Sequence, residues 1–144
     1  QIVQRCNTAL RKLNEMTEQK FPAVNARKGE MLFLRSFVFF RLKEFFKYIP
    51  YIDESVTGTS AQFESIPNRD KNQTGDQYLW EHILADFKRA ESLLPEVQQD
   101  KGRITKNAAT DGGKNFDVHG LRAKRPPSGG EHQQRAFNRS TYLS

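Results

Sequence analysis

At 144 residues the chain is the size of one domain or a portion of a larger one. Hydrophobic residues make up 36% and the mean hydropathy is −0.77, with the apolar content gathered before residue 95, so a single core is expected there and little beyond it. A net charge of +6 is compatible with nucleic acid or an anionic surface, but Lys and Arg alternate with Glu and Asp in the manner of a solvated face, and the single cysteine excludes an internal disulfide or a thiolate metal cluster.

In chain order, Ile2, Val3, Cys6, Ala9, Leu10, Leu13 and Met16 lie on one face of an amphipathic helix from Ile2 to Lys20. Cys6 falls on the apolar stripe and reads as a small core residue. No secretory leader precedes this helix, the pattern expected of a sequence lacking its upstream part. Phe21-Pro22 ends the first helix, and a short link leads to Asn25, an expected N-cap.

The second helix, from Ala26 to Pro50, is the centre of the sequence. Three apolar stripes run along it: Met31, Leu34, Val38, Leu42, Phe45 and Ile49; Phe33, Phe37 and Phe40; and Leu32, Phe39 and Phe46. One stripe suffices for a surface helix, so three require neighbours on several sides. Each buried Phe or Leu contributes about 1.5–3 kcal/mol, which makes this helix the chief stabilising element. Arg35, Arg41, Lys43, Glu44 and Lys47 interrupt it too often for a membrane span. Lys43 and Lys47 suit the negative C-terminal end of the helix dipole, and Pro50 is its stop.

Tyr51 to Gln73 lose periodicity and read as a long surface crossover pinned by Tyr51, Phe63 and Ile66. Thr74 to Gln77 forms a capping box that opens a third helix lined by Tyr78, Leu79, Ile83, Leu84, Phe87, Ala90, Leu93 and Leu94, with Trp80 beside them and Pro95 after them. His82, Glu81 and Asp86 on this helix read as exposed polar positions, because no further His or Cys lies near enough to complete a metal site. Gly102 to Ala109 reads as a turn, a Thr105 N-cap and the first turn of a fourth helix, cut off at Asp111-Gly112-Gly113. From 111 to 144 the sequence is basic and without period. An irregular tail is expected there, disordered or read from a shifted frame. Arg122, Lys124, Arg125, Arg135 and Arg139 in it lack the interleaved aromatics that stack on bases, so no nucleic-acid partner is assigned.

Three segments carry a family resemblance. They are Gly29-Glu30-Met31-Leu32-Phe33-Leu34-Arg35-Ser36-Phe37-Val38-Phe39-Phe40-Arg41-Leu42 with Phe45-Phe46 and Ile49-Pro50; Ala85-Asp86-Phe87-Lys88-Arg89-Ala90-Glu91-Ser92-Leu93-Leu94-Pro95; and Gly102-Arg103-Ile104-Thr105-Lys106-Asn107-Ala108-Ala109. In this order they resemble the SusD/RagB family of outer-membrane nutrient-binding lipoproteins. The resemblance covers roughly residues 1 to 110. It implies an all-α fold of tetratricopeptide-like antiparallel helices, incomplete here relative to the family fold, whereas the irregular tail at 111–144 is read from the residues themselves. It also implies capture of an oligosaccharide or other nutrient at the cell surface and delivery to a SusC-like TonB-dependent transporter. The membrane is reached through a lipid anchor that this sequence does not include. The family continues after the Gly-Arg segment with an aliphatic helix, and here the sequence departs from it.

Tyr48, Tyr51 and Trp80 are the aromatics available for a sugar platform in the helical part, and each fits packing better. The contrasting function is a helical-repeat adaptor that binds protein without carbohydrate. Catalysis is not expected, since His82, His119 and His132 are scattered and no nucleophile stands in a strand-turn-helix context. No catalytic, cofactor or metal residue is assigned, and no ligand-binding residue carries over from the family.

Overall fold

A computed structural model describes residues 1–46, 49–58, 66 and 77–114. All regular structure among them is helical: α1 is Ile2–Asn14, α2 is Val24–Phe45, α3 is Gln77–Leu93, and α4 occupies 106–114. The expected tail beyond 114, the Thr74 half of the capping box, Tyr48 and Lys47 lie outside the described residues.

Helix α2 is the central element, packed against both α1 and α3. Contacts give the directions. Leu10 meets Leu32 while Val3 reaches the cluster around Phe39, so α1 runs antiparallel to α2. Phe33 stands edge-on to Phe87 at 5.4 Å and Phe40 lies 6.2 Å from Trp80, so α3 returns antiparallel as well. Helix α4 folds back along α3, with Thr110 donating to Glu91 at 2.8 Å and Gly112 lying against Phe87. The result is two helical hairpins, a partial tetratricopeptide-like arrangement.

The core has two parts. Leu10, Leu32, Ala90, Leu94 and Ala109 form one, and Phe39, Leu79, Ile83 and Phe87 the other, with Phe33 against both. Cys6 is buried as expected; burial pushes its thiol up, and the charge of Arg35 offsets part of that. Of the three stripes on α2, the one through Leu32 and Phe39 is the most buried, joined by Ser36 and Lys43 at helical spacing. Phe37, Phe45 and Phe46 remain 47%, 75% and 58% exposed, more aromatic surface than these helices cover.

Several boundaries differ from the sequence reading. Helix α1 stops at Asn14, since Glu15 accepts the cap position and Met16 turns outward. Helix α2 begins at Val24 with Ala23 as N-cap, and Asn25 lies inside it, donating to Glu18 instead of capping. It ends at Phe45, ahead of Pro50, where Phe46 takes an extended backbone. Thr105 does precede α4, its carbonyl accepting from Ala109 N–H at 3.3 Å. That helix is not cut off at Asp111 but runs on through Gly112 and Gly113.

The glycines explain the close packing. A Cβ on Gly29 would lie 2.7 Å from Leu94 Cγ, and one on Gly112 would lie 2.6 Å from Phe87 Cε1. Gly29→Ala and Gly112→Ala are each expected to lower stability by about 1–3 kcal/mol through overpacking, although alanine at an open helix position stabilises by about 1 kcal/mol. Urea midpoints of the full chain check this, and a raised midpoint in either variant contradicts the close approach.

Candidate functional site

The polar centre of the molecule is Arg35. It interrupts the apolar run of α2, yet its side chain is 1% exposed. Its position on the face between α1 and α3 leaves no route to water, so all of its charge must be met internally. Nε donates to Asp86 Oδ2 at 2.7 Å and Nη2 to Asp86 Oδ1 at 2.8 Å, a two-point pair with α3. Nη1 donates to Asn7 Oδ1 of α1 at 2.8 Å and to Glu54 Oε2 at 2.5 Å. Tyr51 completes the group, its hydroxyl donating to Asp86 Oδ2 at 2.8 Å and its ring lying 5.7 Å from the guanidinium carbon.

These contacts fix the segment 51–58, a strap across the helices. Asn7 Nδ2 donates to Ile52 O at 3.0 Å, and Arg11 Nη1 donates to the carbonyls of Glu54 and Val56 at 3.2 and 3.4 Å. Between the strap and α1 lies a polar cleft of about 240 Å³, lined on one side by Gln4, Thr8 and Arg11 and on the other by Val56, Thr57 and Gly58.

A second buried carboxylate joins the segments that carried the family resemblance. Glu30 accepts from Arg27 at 2.5 Å, from Gln98 at 3.2 Å and from Arg103 at 3.1 Å. Glu30 and Arg35 of the first segment thus pair with Arg103 of the third and Asp86 of the second.

The aromatic candidates are packed. Tyr51 lies 5.0 Å from Phe39 and 4.5 Å from His82, and Trp80 sits against the Phe39 cluster. Asp86, read from sequence as an exposed polar position, is buried and shared between Arg35 and Tyr51. His82 is half-buried, with Nδ1 donating to Tyr78 O at 2.8 Å, so the two do not meet as metal ligands. Among the described residues no group of three or more His, Cys, Asp or Glu is placed to hold a metal, and no helix is long and apolar enough to cross a membrane. His119 and His132 lie outside the described residues. Asn7 and Glu54 carry no signal of their own in the sequence, and Arg35 stands there only as an interruption of the apolar run and a member of the first family segment; the available signal is an arginine in the middle of an apolar helix, which demands a buried acceptor.

Charge and burial compete at each member. Burial opposes the charge on Arg35, but the hydrogen bonds and charge of Asp86 outweigh it, with Tyr51 and Glu54 adding to the effect, and its pKa rises further. Burial, then the Asp86 carboxylate, pushes the Tyr51 phenol well above its usual value. Burial raises Glu54, but the Arg35 hydrogen bond and charge prevail and hold its carboxyl below the usual range.

Arg35→Met or Asp86→Leu alone strands a buried charge and should cost about 3–5 kcal/mol, with the double variant costing less than the sum; denaturant unfolding measures both, and strict additivity would contradict the pairing. The pH dependence has two limbs. The folded Glu54 pKa lies below its unfolded value of about 4.5, so its stabilisation is complete above that value and is lost as pH falls through the folded one. Tyr51 is raised above its unfolded value of about 10, so its stabilisation is complete below that value and is lost at higher pH. Glu54→Gln should flatten the acid limb and Tyr51→Phe the alkaline limb of unfolding midpoint against pH.

With this geometry, the comparisons with known proteins converge. The family model that matches residues 1–111 is SusD-like, described as starch-binding and associating with the outer membrane. SusD-like protein P2 of Formosa agariphila is 31% identical over 86 residues, which are 60% of this chain and 16% of that protein. A SusD superfamily protein from Bacteroides vulgatus superposes with a TM-score of 0.62 at 28% identity, covering 83% of this chain and 24% of that one. A laminarin-binding SusD-like protein has the same fold, with a TM-score of 0.68 at 23% identity over 85% of this chain and 25% of its own. The chain therefore spans 16–25% of the length of these relatives. Matched from its first residue through most of α4, it belongs to the SusD/RagB family.

Proposed function

We propose that these hairpins are the scaffold of a protein that captures a glycan or similar nutrient at the outer membrane and passes it to a SusC-like TonB-dependent transporter. The family match over residues 1–111 carries this reading, because that family is described as starch-binding and outer-membrane associated. It also favours glycan capture over a protein-binding adaptor. In this reading the helices position loops and neighbouring helix pairs, the protein binds without turning its ligand over, and a lipid on the parent protein holds it at the cell surface. The proposed extent of the scaffold is residues 1 to 110. Stacked helical pairs bury their apolar faces against further pairs, and the exposed Phe37, Phe45 and Phe46 provide such a face.

The test is made on the intact parent protein in its native membrane. Electrophoretic retardation by starch or laminarin, recovery of the polysaccharide unchanged, and copurification of a TonB-dependent barrel are expected. Migration unaffected by any polysaccharide, with no barrel retained, would contradict the reading.

A further inference from the structure

We infer that the cleft between α1 and the strap 51–58 takes a single acidic sugar residue, held through its carboxylate or sulfate by Arg11. The inference starts from charge. Arg11 is half-buried on the cleft wall, and its partners are neutral: the Glu54 and Val56 carbonyls at 3.2 and 3.4 Å and Thr8 Oγ1 at 3.0 Å. No carboxylate lies within ion-pair distance of it among the described residues, in contrast to Arg35, Arg27 and Arg103. A guanidinium has five N–H donors. Among the described residues three bonds are in use, which leaves Nε and one Nη2 hydrogen for an anion.

The surroundings are already organised. The bonds that occupy Arg11 also set the strap, and Glu54 is anchored independently on Arg35 at 2.5 Å, so the far wall is fixed before a ligand arrives. Such preorganisation lowers the ordering cost of binding. The remaining lining supplies hydroxyl and amide groups: Gln4 and Thr8 on α1 and Thr57 on the strap are all exposed, and Thr8 Oγ1, accepting from Arg11, keeps its own hydrogen to donate. At about 240 Å³ the cleft is smaller than the roughly 300–1,000 Å³ of drug-sized pockets, which suits one sugar unit or a chain end. Among the described residues no aromatic lines it, so a neutral sugar would gain little from them and the charge decides selectivity.

The sugar part of this inference rests on the glycan-capture reading, while its anion preference is testable alone. Calorimetric titration of the full chain at low ionic strength with glucuronate, glucose 6-sulfate and glucose is the experiment. At least one charged sugar should bind about tenfold or more tighter than glucose, an affinity that weakens with added salt, and the tighter of the two identifies the anion. Arg11→Gln should abolish the preference. Because Arg11 also holds the strap, Thr57→Glu is the second variant: it sets a carboxylate in the cleft, keeps the Arg11 bonds and should erase the preference with the melting temperature unchanged. Equal binding of all three sugars, no binding of either charged sugar, or a preference that survives Thr57→Glu overturns the inference. If the intact parent with Thr57→Glu still retains neutral polysaccharide, the glycan reading stands whatever the cleft does. Loss of polysaccharide binding by the unmodified parent would remove that reading and leave the anion result to be judged by itself.

Discussion

A guanidinium sealed from water must meet fixed acceptors, and this requirement at Arg35 governs how the helices sit together. Asp86, Asn7 and Glu54 come from α3, α1 and the strap, and all converge on one side chain of α2. Desolvating such a pair costs several kcal/mol per ion, and a well-packed apolar replacement of similar volume can be as stable. The network's consequence is therefore register: a helix displaced by one turn leaves a full charge without a partner. Apolar contacts among Phe33, Phe39, Phe87 and Leu32 supply the drive to associate, but they tolerate sliding in a way the two-point Arg35–Asp86 pair does not.

Glu30 repeats the device at the other end. Its pairing with Arg103 ties the start of α2 to the turn before α4, and Gln98 bridges the same carboxylate. Close to it, Gly29 lets Leu94 approach the backbone of α2. Polar specificity and small-residue packing act together at this crossing, and the strap is held as a consequence of the Arg35 network. The same bonds that fix the fold thus shape the cleft beside α1.

Much of the helical fold was legible as spacing. Leu10, Leu32, Leu79, Ile83, Phe87 and Ala90 sit in the core as their periodicity implied. The ion-pair partners were not legible, because periodicity reports which face a residue occupies and nothing about what stands opposite. Asp86 shares a face with Ile83 and Ala90 and is buried with them, a fact that its charge concealed. Gly112 and Gly113 were read as breakers on intrinsic propensity, whereas tertiary packing keeps α4 helical through them and uses Gly112 for contact with Phe87. The cleft was invisible for a different reason. Arg11 looks like any surface cation of an amphipathic helix until the strap is seen to give it only neutral partners.

Solvent exchange of the arginine Nε–H groups, followed by nitrogen-15 NMR on the full chain, tests the buried hub most directly. Arg35 should give a resolved Nε–H signal at neutral pH that exchanges far more slowly than that of Arg41, whose side chain is 53% exposed. An Arg35 Nε–H that exchanges as fast as Arg41 would contradict a sealed guanidinium at the junction of the helices.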